Sequence, residues 1–365
     1  RTTFFIMTIS SNKSKVFVGM SGGVDSSVAA LLLQRQGYEV IGVFMQNFNP
    51  ERLQGCCPWE DDMRDARRVC AKLDLPFHVV NFEKEYEKKV LEYFFTTYKK
   101  GLTPNPDILC NSEIKFKVFL DYAEKLGAGA IGTGHYASVL AKKSIYELHK
   151  GIDQTKDQSY FLHQLTQKQL SKSMFPLGDL TKKEVRAIAK KEELHNWDRK
   201  DSQGICFIGK VSLREFLSQR LRPKKGNVVT TDGDILGEHD GVWFYTIGQR
   251  HGIGSTGGGI PWYVVSKNVK RNELMVAKGS WDDALFKKEL IIADMHWISG
   301  TVPKLPLHCT VKIRYRQPDQ KVTVRQGTKK NLLELHFQEK QRAITPGQYA
   351  VLYNGEKCLG GGVIT

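Results

Sequence analysis

Residues 15–27 read K-V-F-V-G-M-S-G-G-V-D-S-S, an apolar run that passes through a glycine pair into a helix-forming stretch. The run 15–20 has the length and composition of a short buried strand. Residues 26–36 follow with Val28, Leu31 and Leu32 at helical spacing, and Gly37 supplies the stop. The stretch 39–45 (EVIGVFM) is the next strand. Further strands at 77–82 and 128–133 alternate with helical stretches around 61–73, 83–98 and 114–126. This β-α-β-α rhythm predicts an α/β unit, Rossmann-like, with a parallel sheet wrapped by helices.

The glycines between strand and helix give the stretch its chemistry. Gly22 and Gly23 let the backbone approach a ligand closely, successive backbone NH groups form an anion nest, and the helix adds its positive N-terminal end. Ser21 and Ser26 offer hydroxyls to phosphate oxygens, and Asp25 can hold a magnesium ion or cap the turn. The loop lacks the Gly-Lys-Ser/Thr ending of a Walker A motif, so the lysine that reaches a terminal phosphate is missing from it. The triplet Gly127, Gly129 and Gly132 matches the dinucleotide fingerprint by letter but leads from a helix end into a strand, the wrong order for that motif.

Working outward, 181–194 opens with Thr181 and Glu184 at capping-box spacing and carries Val185, Ile188 and Ala189 on one face. Helical character is expected to about residue 220. From Gly226 glycines and short β-rich runs dominate, with strands expected at 242–247 and 262–266. After residue 287 apolar and polar residues alternate. Cys309, Val311, Ile313 and Tyr315 fall on one strand face and Arg314 on the other, while Asn354-Gly355 marks a tight hairpin. Three domains follow: an α/β 15–220, a small β-rich 221–286 and a C-terminal β-barrel 287–365.

The 365 residues carry 54 Lys and Arg against 39 Asp and Glu, a net +15, and 41% are hydrophobic. Such a chain can bury sizeable cores, which excludes disorder, and its charge favours a polyanionic partner. Residues 287–365 hold 13 Lys and Arg against 6 Asp and Glu, so the barrel is either a platform for a polyanion or a structural barrel with a solvated basic face. No run reaches the length of a membrane span, so no membrane partner and a cytoplasmic location are expected. Met7 is a plausible initiator, and the first six residues are set apart from the fold.

Seven cysteines without Cys-x-x-Cys spacing indicate neither a disulfide framework nor a zinc ribbon, and no metal ligand set is assigned. Two of them keep suggestive company. Cys110 ends the proline-stiffened segment 104–111 (PNPDILCN), expected to be a rigid loop that brings it close to Asp107, and Cys206 lies between Gly204 and Gly209.

The loop resembles the SGGxDS signature of the PP-loop ATP pyrophosphatases. Taken in order, SGGVDSS, GVFMQNF, TPNPDILCN, GTGHYA, KDQSYFL, SQGICFIG, TIGQRHG, PWYVV, KIRYRQ and TPGQYAVLYNGEKCLGGG resemble the tRNA-specific 2-thiouridylases from about Lys15 to the C-terminus. The resemblance implies ATP-dependent 2-thiolation of the wobble uridine, position 34, of tRNAs for Lys, Glu and Gln, with release of AMP and pyrophosphate. It aligns Cys206 with the persulfide carrier, Cys110 with its catalytic partner and Asp107 with the acid/base beside the uracil; the attacking species is either the persulfide itself or hydrogen sulfide released from it, and a disulfide between Cys110 and Cys206 is implied after transfer.

ATP, with Mg2+, is expected at Gly19, Met20, Ser21, Gly22, Gly23, Val24, Asp25, Ser26, Met45 and Gly134. Contacts with tRNA are expected at Asn105, Pro106, Asp107, His135, Lys156, Asp157, Gln158, Arg314, Tyr315 and Gln348. The implied sulfur donor is a cysteine desulfurase or a persulfide relay protein. The loop around 49–60, with Cys56-Cys57-Pro58, departs from the simplest family pattern and carries no assigned role. Two other readings compete: a PP-loop synthetase adenylating a small molecule, and an RNA-binding protein with a vestigial nucleotide loop. The basic barrel and the paired cysteines weigh against the first, and the intact loop against the second.

Overall fold

A computed structural model describes residues 14–49, 59–201, 212–253 and 259–365. The chain divides into two compact units, one of residues 1–86 with 110–209 and one of residues 87–109 with 210–365.

In the first unit the strands in chain order are β1 (Lys15–Met20), β2 (Glu39–Gln46), β3 (Phe77–Asn81), β4 (Ala130–Gly132), the hairpin pair β5 (Ala137–Lys142) and β6 (Ile145–Lys150), and β7 (Ser173–Met174). Five of them form a parallel sheet in the order β3-β2-β1-β4-β7. β1 lies centrally, which is why Val16, Phe17 and Val18 can be consecutive and fully buried. Each such side chain contributes about 1.5–3 kcal/mol by leaving water.

Helix α1 (Val24–Arg35) leaves β1 after three residues, and Gly37 at φ +89° lets the chain turn out of it. Its apolar surface is wider than the expected stripe, because Ala29, Ala30 and Leu33 are buried as well as Val28 and Leu31. The helix packs between the sheet and helix Lys182–Lys191, and Gly132 has no Cβ because one would sit 2.6 Å from Leu33 Cδ1. Helix α2 (Trp59–Lys72) is amphipathic and buries Ala66, Val69 and Cys70. The expected capping box is present at helix Lys182–Lys191, with Thr181 as N-cap and Glu184 bonding back. Gly127 lies beyond a helix that ends at Lys125 and precedes β4, which is the helix-to-strand order read from the sequence.

The expected rigid loop 104–111 is irregular only at 104–105 and helical beyond them. Pro106–Leu109 is α-helical and Cys110–Val118 π-helical. Proline is at home in a first helical turn, where its missing NH has no partner to lose, so it starts this helix where the sequence reading made it stiffen a loop.

In the second unit Phe94 and Phe95 of helix Glu92–Lys99 pack on Phe216 of helix Leu213–Ser218, with centroids 5.6 and 5.2 Å apart. β8 (Gly226–Thr230), β9 (Ile235–His239), β10 (Trp262–Asn268) and β11 (Glu273–Lys278) form a four-stranded sheet ordered β10-β11-β8-β9. Residues 242–247 are not the expected strand, since Val242–Phe244 forms a 3-10 turn after Gly241 at φ +131°. Burial of Val242 and Phe244 outweighs their β propensity.

The C-terminal strands are β12 (Phe286–Trp297), β13 (Leu307–Lys312), β14 (Gln320–Gln326), β15 (Leu332–Arg342), β16 (Tyr349–Asn354) and β17 (Lys357–Ile364). They run β12-β15-β14-β13-β16-β17, and β12 pairs with β17 to close a barrel. Leu333, Leu335 and Phe337 point into its core as the alternation predicts. The glycine run near the C-terminus makes closure possible: a Cβ on Gly360, at φ +135°, would lie 1.9 Å from the His296 carbonyl oxygen. Two details differ from the sequence reading. β13 ends at Lys312, so Arg314 and Tyr315 occupy the turn that follows, and the last hairpin turns at Gly355-Glu356, one residue later than expected. Among the described residues no helix is long and apolar enough to cross a membrane.

Candidate functional site

β1 stands where the sheet order reverses, with β2 on one side and β4 on the other, the position beyond whose carboxyl ends open α/β sheets bind ligands. The loop after β1 lies there. Gly22 adopts φ +74°, and a Cβ there would lie 2.4 Å from the Asp62 carbonyl oxygen, so only glycine fits. Ser26 Oγ accepts from the Ser21 NH at 3.2 Å and donates to the Gly23 carbonyl at 3.0 Å, folding the loop onto the first turn of α1. Asp25 does not cap α1. The N-cap is Gly23, which contributes no side chain.

Two residues remote in sequence, both among the expected ATP contacts, meet this loop. Met45 Cε would lie 3.1 Å from a Cβ on Gly19, and a Cβ on Gly134 would lie 2.7 Å from the Ser26 nitrogen. Glycine 134 therefore keeps the mouth of the helix N-terminus open.

An ionic scaffold that the sequence reading missed supports the loop. Lys182 Nζ donates to both Asp25 carboxylate oxygens at 2.8 Å and pairs with Asp201 at 2.7 Å, and the Tyr136 hydroxyl donates to Asp25 at 2.7 Å. Asp201 also receives Lys156 at 2.5 Å and Arg186 at 3.2 Å. Burial would raise the Asp201 carboxyl, but its hydrogen bonds from Lys156 and Lys182 outweigh this and hold it at about 2. Burial and the Asp25 charge push the Tyr136 phenol far above its usual range, so it stays a donor. Behind the loop, Asn196 Nδ2 and Arg199 Nη1 donate to the Gly22 carbonyl at 2.8 and 3.1 Å, and Arg199 pairs with Asp62 and Asp65. One signal was available for Lys182. A lysine at the first helical position opposes the helix dipole and asks for another partner.

The segment 156–158 folds against the same scaffold. Lys156 is committed to Asp201, the buried Asp157 carboxylate accepts from the Gly151 and Ser159 NH groups at 3.3 and 3.0 Å, and Gln158 Oε1 accepts from the Tyr136 NH at 3.0 Å. His135 is buried against Phe116 and Phe175, with Nδ1 2.8 Å from Thr133 Oγ1. Burial, with help from Lys115, holds its imidazole neutral.

In the second unit Gln348 grips residues 103–105. Its Nε2 donates to the Thr103 and Pro104 carbonyls at 3.0 and 3.1 Å, and Asn105 Nδ2 lies 3.4 Å from its Oε1. The Thr103 NH donates to the Pro346 carbonyl at 3.0 Å. Gly347 permits this approach, since a Cβ there would be 2.8 Å from the Thr103 nitrogen. Pro106 and the half-buried Asp107 follow in the short helix. Arg314 is exposed and donates to the Arg342 carbonyl at 2.5 Å, and Tyr315 lies under Arg316 at 5.2 Å.

Cys110 is fully buried. Cys206, Cys56 and Cys57 lie outside the described residues. Burial pushes the thiols of Cys70 and Cys309 up to about 12, so neither is a thiolate near neutral pH. Among the described residues no group of three or more His, Cys, Asp and Glu side chains is arranged to hold a metal ion.

Residues 14–210 match the family described as the tRNA methyl transferase HUP domain, 214–278 the tRNA methyl transferase PRC-barrel domain, and 287–364 the aminomethyltransferase beta-barrel domain. The chain is 52% identical over 353 residues to the tRNA-specific 2-thiouridylase MnmA 2 of Geobacillus kaustophilus, covering 97% of this chain and 95% of that protein. It is 50% identical to MnmA of Bacillus subtilis, covering 96% and 95%, and 51% identical to MnmA of Streptococcus thermophilus, covering 97% and 95%. With relatives this similar along nearly their whole length, the chain belongs to the tRNA-specific 2-thiouridylase family.

Proposed function

We propose that this protein is a tRNA-uridine 2-sulfurtransferase that uses ATP to replace the C2 oxygen of the wobble uridine, position 34, in tRNAs for Lys, Glu and Gln. The observation that carries the ATP step is the glycine loop 19–26, with its opened helix N-terminus and with Met45 and Gly134 at its borders. Backbone NH groups there would bind the phosphates, and Lys182 offsets the Asp25 carboxylate that would otherwise repel them. Mg2+ would arrive as the ATP chelate, with Asp25 the loop carboxylate able to face it.

A carbonyl oxygen is a poor leaving group until it is adenylated. The uracil C2 oxygen attacks the α-phosphorus, forming an O–P bond and expelling pyrophosphate. A persulfide on Cys206 then attacks C2 through its terminal sulfur, and AMP departs with the former C2 oxygen. The Cys110 thiolate attacks the Cys206 Sγ, which breaks the S–S bond to the transferred sulfur and leaves it on C2. A Cys110–Cys206 disulfide remains, and a thiol reductant reopens it. Asp107 moves the proton at the uracil, and Asn105, Pro106 and Gln348 shape the base segment. His135, Lys156, Asp157 and Gln158 act from beneath the RNA-facing surface through the contacts described above, while Arg314 and Tyr315 lie where a backbone could pass. A cysteine desulfurase or a persulfide relay protein supplies the sulfur, and the cytoplasm is the compartment that fits free thiol chemistry.

The test is nucleoside mass spectrometry on unmodified tRNA for Glu with protein, Mg-ATP and a persulfide donor. We expect 2-thiouridine only when ATP and both cysteines are present. ATP turnover and bound tRNA without thiolated nucleoside would overturn the substrate assignment.

A further inference from the structure

The second unit contains a cavity of about 230 Å³ that no step above uses. It lies where β10, β12, the 100–103 segment and the 343–346 turn meet. Its polar lining is Lys100, Lys267, Lys287, Thr103, Ser266 and Thr345, its other walls are aliphatic, glycine or proline, and among the described residues no acidic side chain lines it. Lys267 donates to the Tyr245 carbonyl at 2.8 Å, and among the described residues none of the three lysines has a carboxylate partner. Thr103 is only 6% exposed, yet its Oγ1 has no hydrogen-bond partner among the described residues. Burial lowers the Lys267 ammonium to about 8. A desolvated cation without a counter-ion is costly unless a ligand completes it.

We propose that this cavity is a phosphoryl-binding site, with Lys267 in its wall and Lys100 and Lys287 at its rim, and that it takes one backbone phosphate of the RNA substrate. The assignment to RNA rests on the function proposed above. It is favoured over a free phosphate because Thr103 belongs to the same segment that Gln348 grips beside Asn105, so a phosphate held here would fix the strand next to the target base. The groups that face Lys267 from neighbouring elements are Lys100 and Lys287 in the cavity and Lys270, Arg271 and Glu273 on the adjoining surface, where Arg271 lies 4.0 Å from Glu273. Binding an anion favours the charged ammonium, so RNA affinity should fall as pH rises through about 8.

Two measurements test the site. The first titrates full-length protein with tRNA over a range of salt, using Lys267→Met, which keeps the apolar stem, and Lys267→Arg. Lys267→Met should flatten the slope of log K against log salt by about 0.7–0.9 and weaken binding several-fold at low salt, and Lys267→Arg should restore both. The second needs no variant. The unaltered protein is acylated with an amine reagent at pH 8, and Lys267 is followed by mass spectrometry with tRNA or with millimolar inorganic phosphate. Protection by tRNA supports the proposal. An unchanged salt slope, with Lys267 acylated equally in the tRNA complex, overturns it. Protection by inorganic phosphate but not by bound tRNA overturns the RNA assignment. Should the unaltered protein bind no tRNA, the reading of its partner fails separately, and the phosphate arm alone decides the cavity: protection supports a phosphoryl site and its absence removes it.

Discussion

The ammonium of Lys182 lies 2.8 Å from each carboxylate oxygen of Asp25, so a lysine 157 residues away compensates the carboxylate of the glycine loop. The pair is mostly shielded, with the Lys182 side chain 12% exposed, and Tyr136 and Asp201 complete its hydrogen bonds. A carboxylate inside the loop proposed to bind the ATP phosphates is tolerable because of this neighbour. Breaking such a pair leaves one charge without compensation.

Lys182→Met should therefore weaken ATP binding by about tenfold or more, as expected for loss of a charge-assisted hydrogen bond of about 1.5–3 kcal/mol. Asp25→Asn in the same chain should recover part of the loss. Calorimetric ATP titration of the single and double variants checks this, and an affinity within twofold of the unaltered protein would remove Lys182 from the nucleotide site.

Asp201 makes the acid limb of stability informative. Its folded carboxyl is held at about 2, below the ordinary value of 3.8, so its contribution is fully present above about pH 4 and is lost as pH falls toward 2. Asp201→Asn should be less stable than the unaltered protein near neutrality, and the gap should close between pH 4 and 2. Urea melts at several pH values would show it, and a gap independent of pH would contradict the ionic role.

Gly22→Ala forces a side chain into a φ of +74° and against the Asp62 carbonyl. The backbone cost alone is about 1–2 kcal/mol, and the loop must shift as well. A lowered melting temperature together with lost ATP binding is expected. Normal ATP affinity would mean that the loop is more plastic than its hydrogen bonds indicate.

Cys110→Ser should abolish sulfur transfer from a persulfide donor while adenylation persists, because a hydroxyl cannot resolve the persulfide. Pyrophosphate release measured beside thiolated nucleoside separates the two steps. Thiolation at the unaltered rate would exclude Cys110 from the mechanism.

Gln348→Ala removes two donors from the Thr103 and Pro104 carbonyls, at about 1 kcal/mol each, and frees the segment before Asp107. The KM for tRNA should rise severalfold, with a smaller fall in kcat. Steady-state kinetics with varied tRNA give the split, and unchanged constants would show that the segment is held by other contacts.

Local rules fixed the parts whose causes are local. A strand, a glycine loop and a helix follow one another in 15–36, the capping box at Thr181 starts its helix, and alternation at 333–337 sets a barrel face. The same rules misread 106–111, where proline starts a helix, and 242–247 and 313–316, where β-formers leave the extended state. What only the tertiary structure decided are meetings across long separations: Lys182 with Asp25, Gln348 with residues 103–105, and Lys267 beside Thr103. Periodicity and propensity describe neighbours within a few residues, whereas charge compensation and cavities arise only when folding brings remote side chains within about 3 Å, the reach of a hydrogen bond.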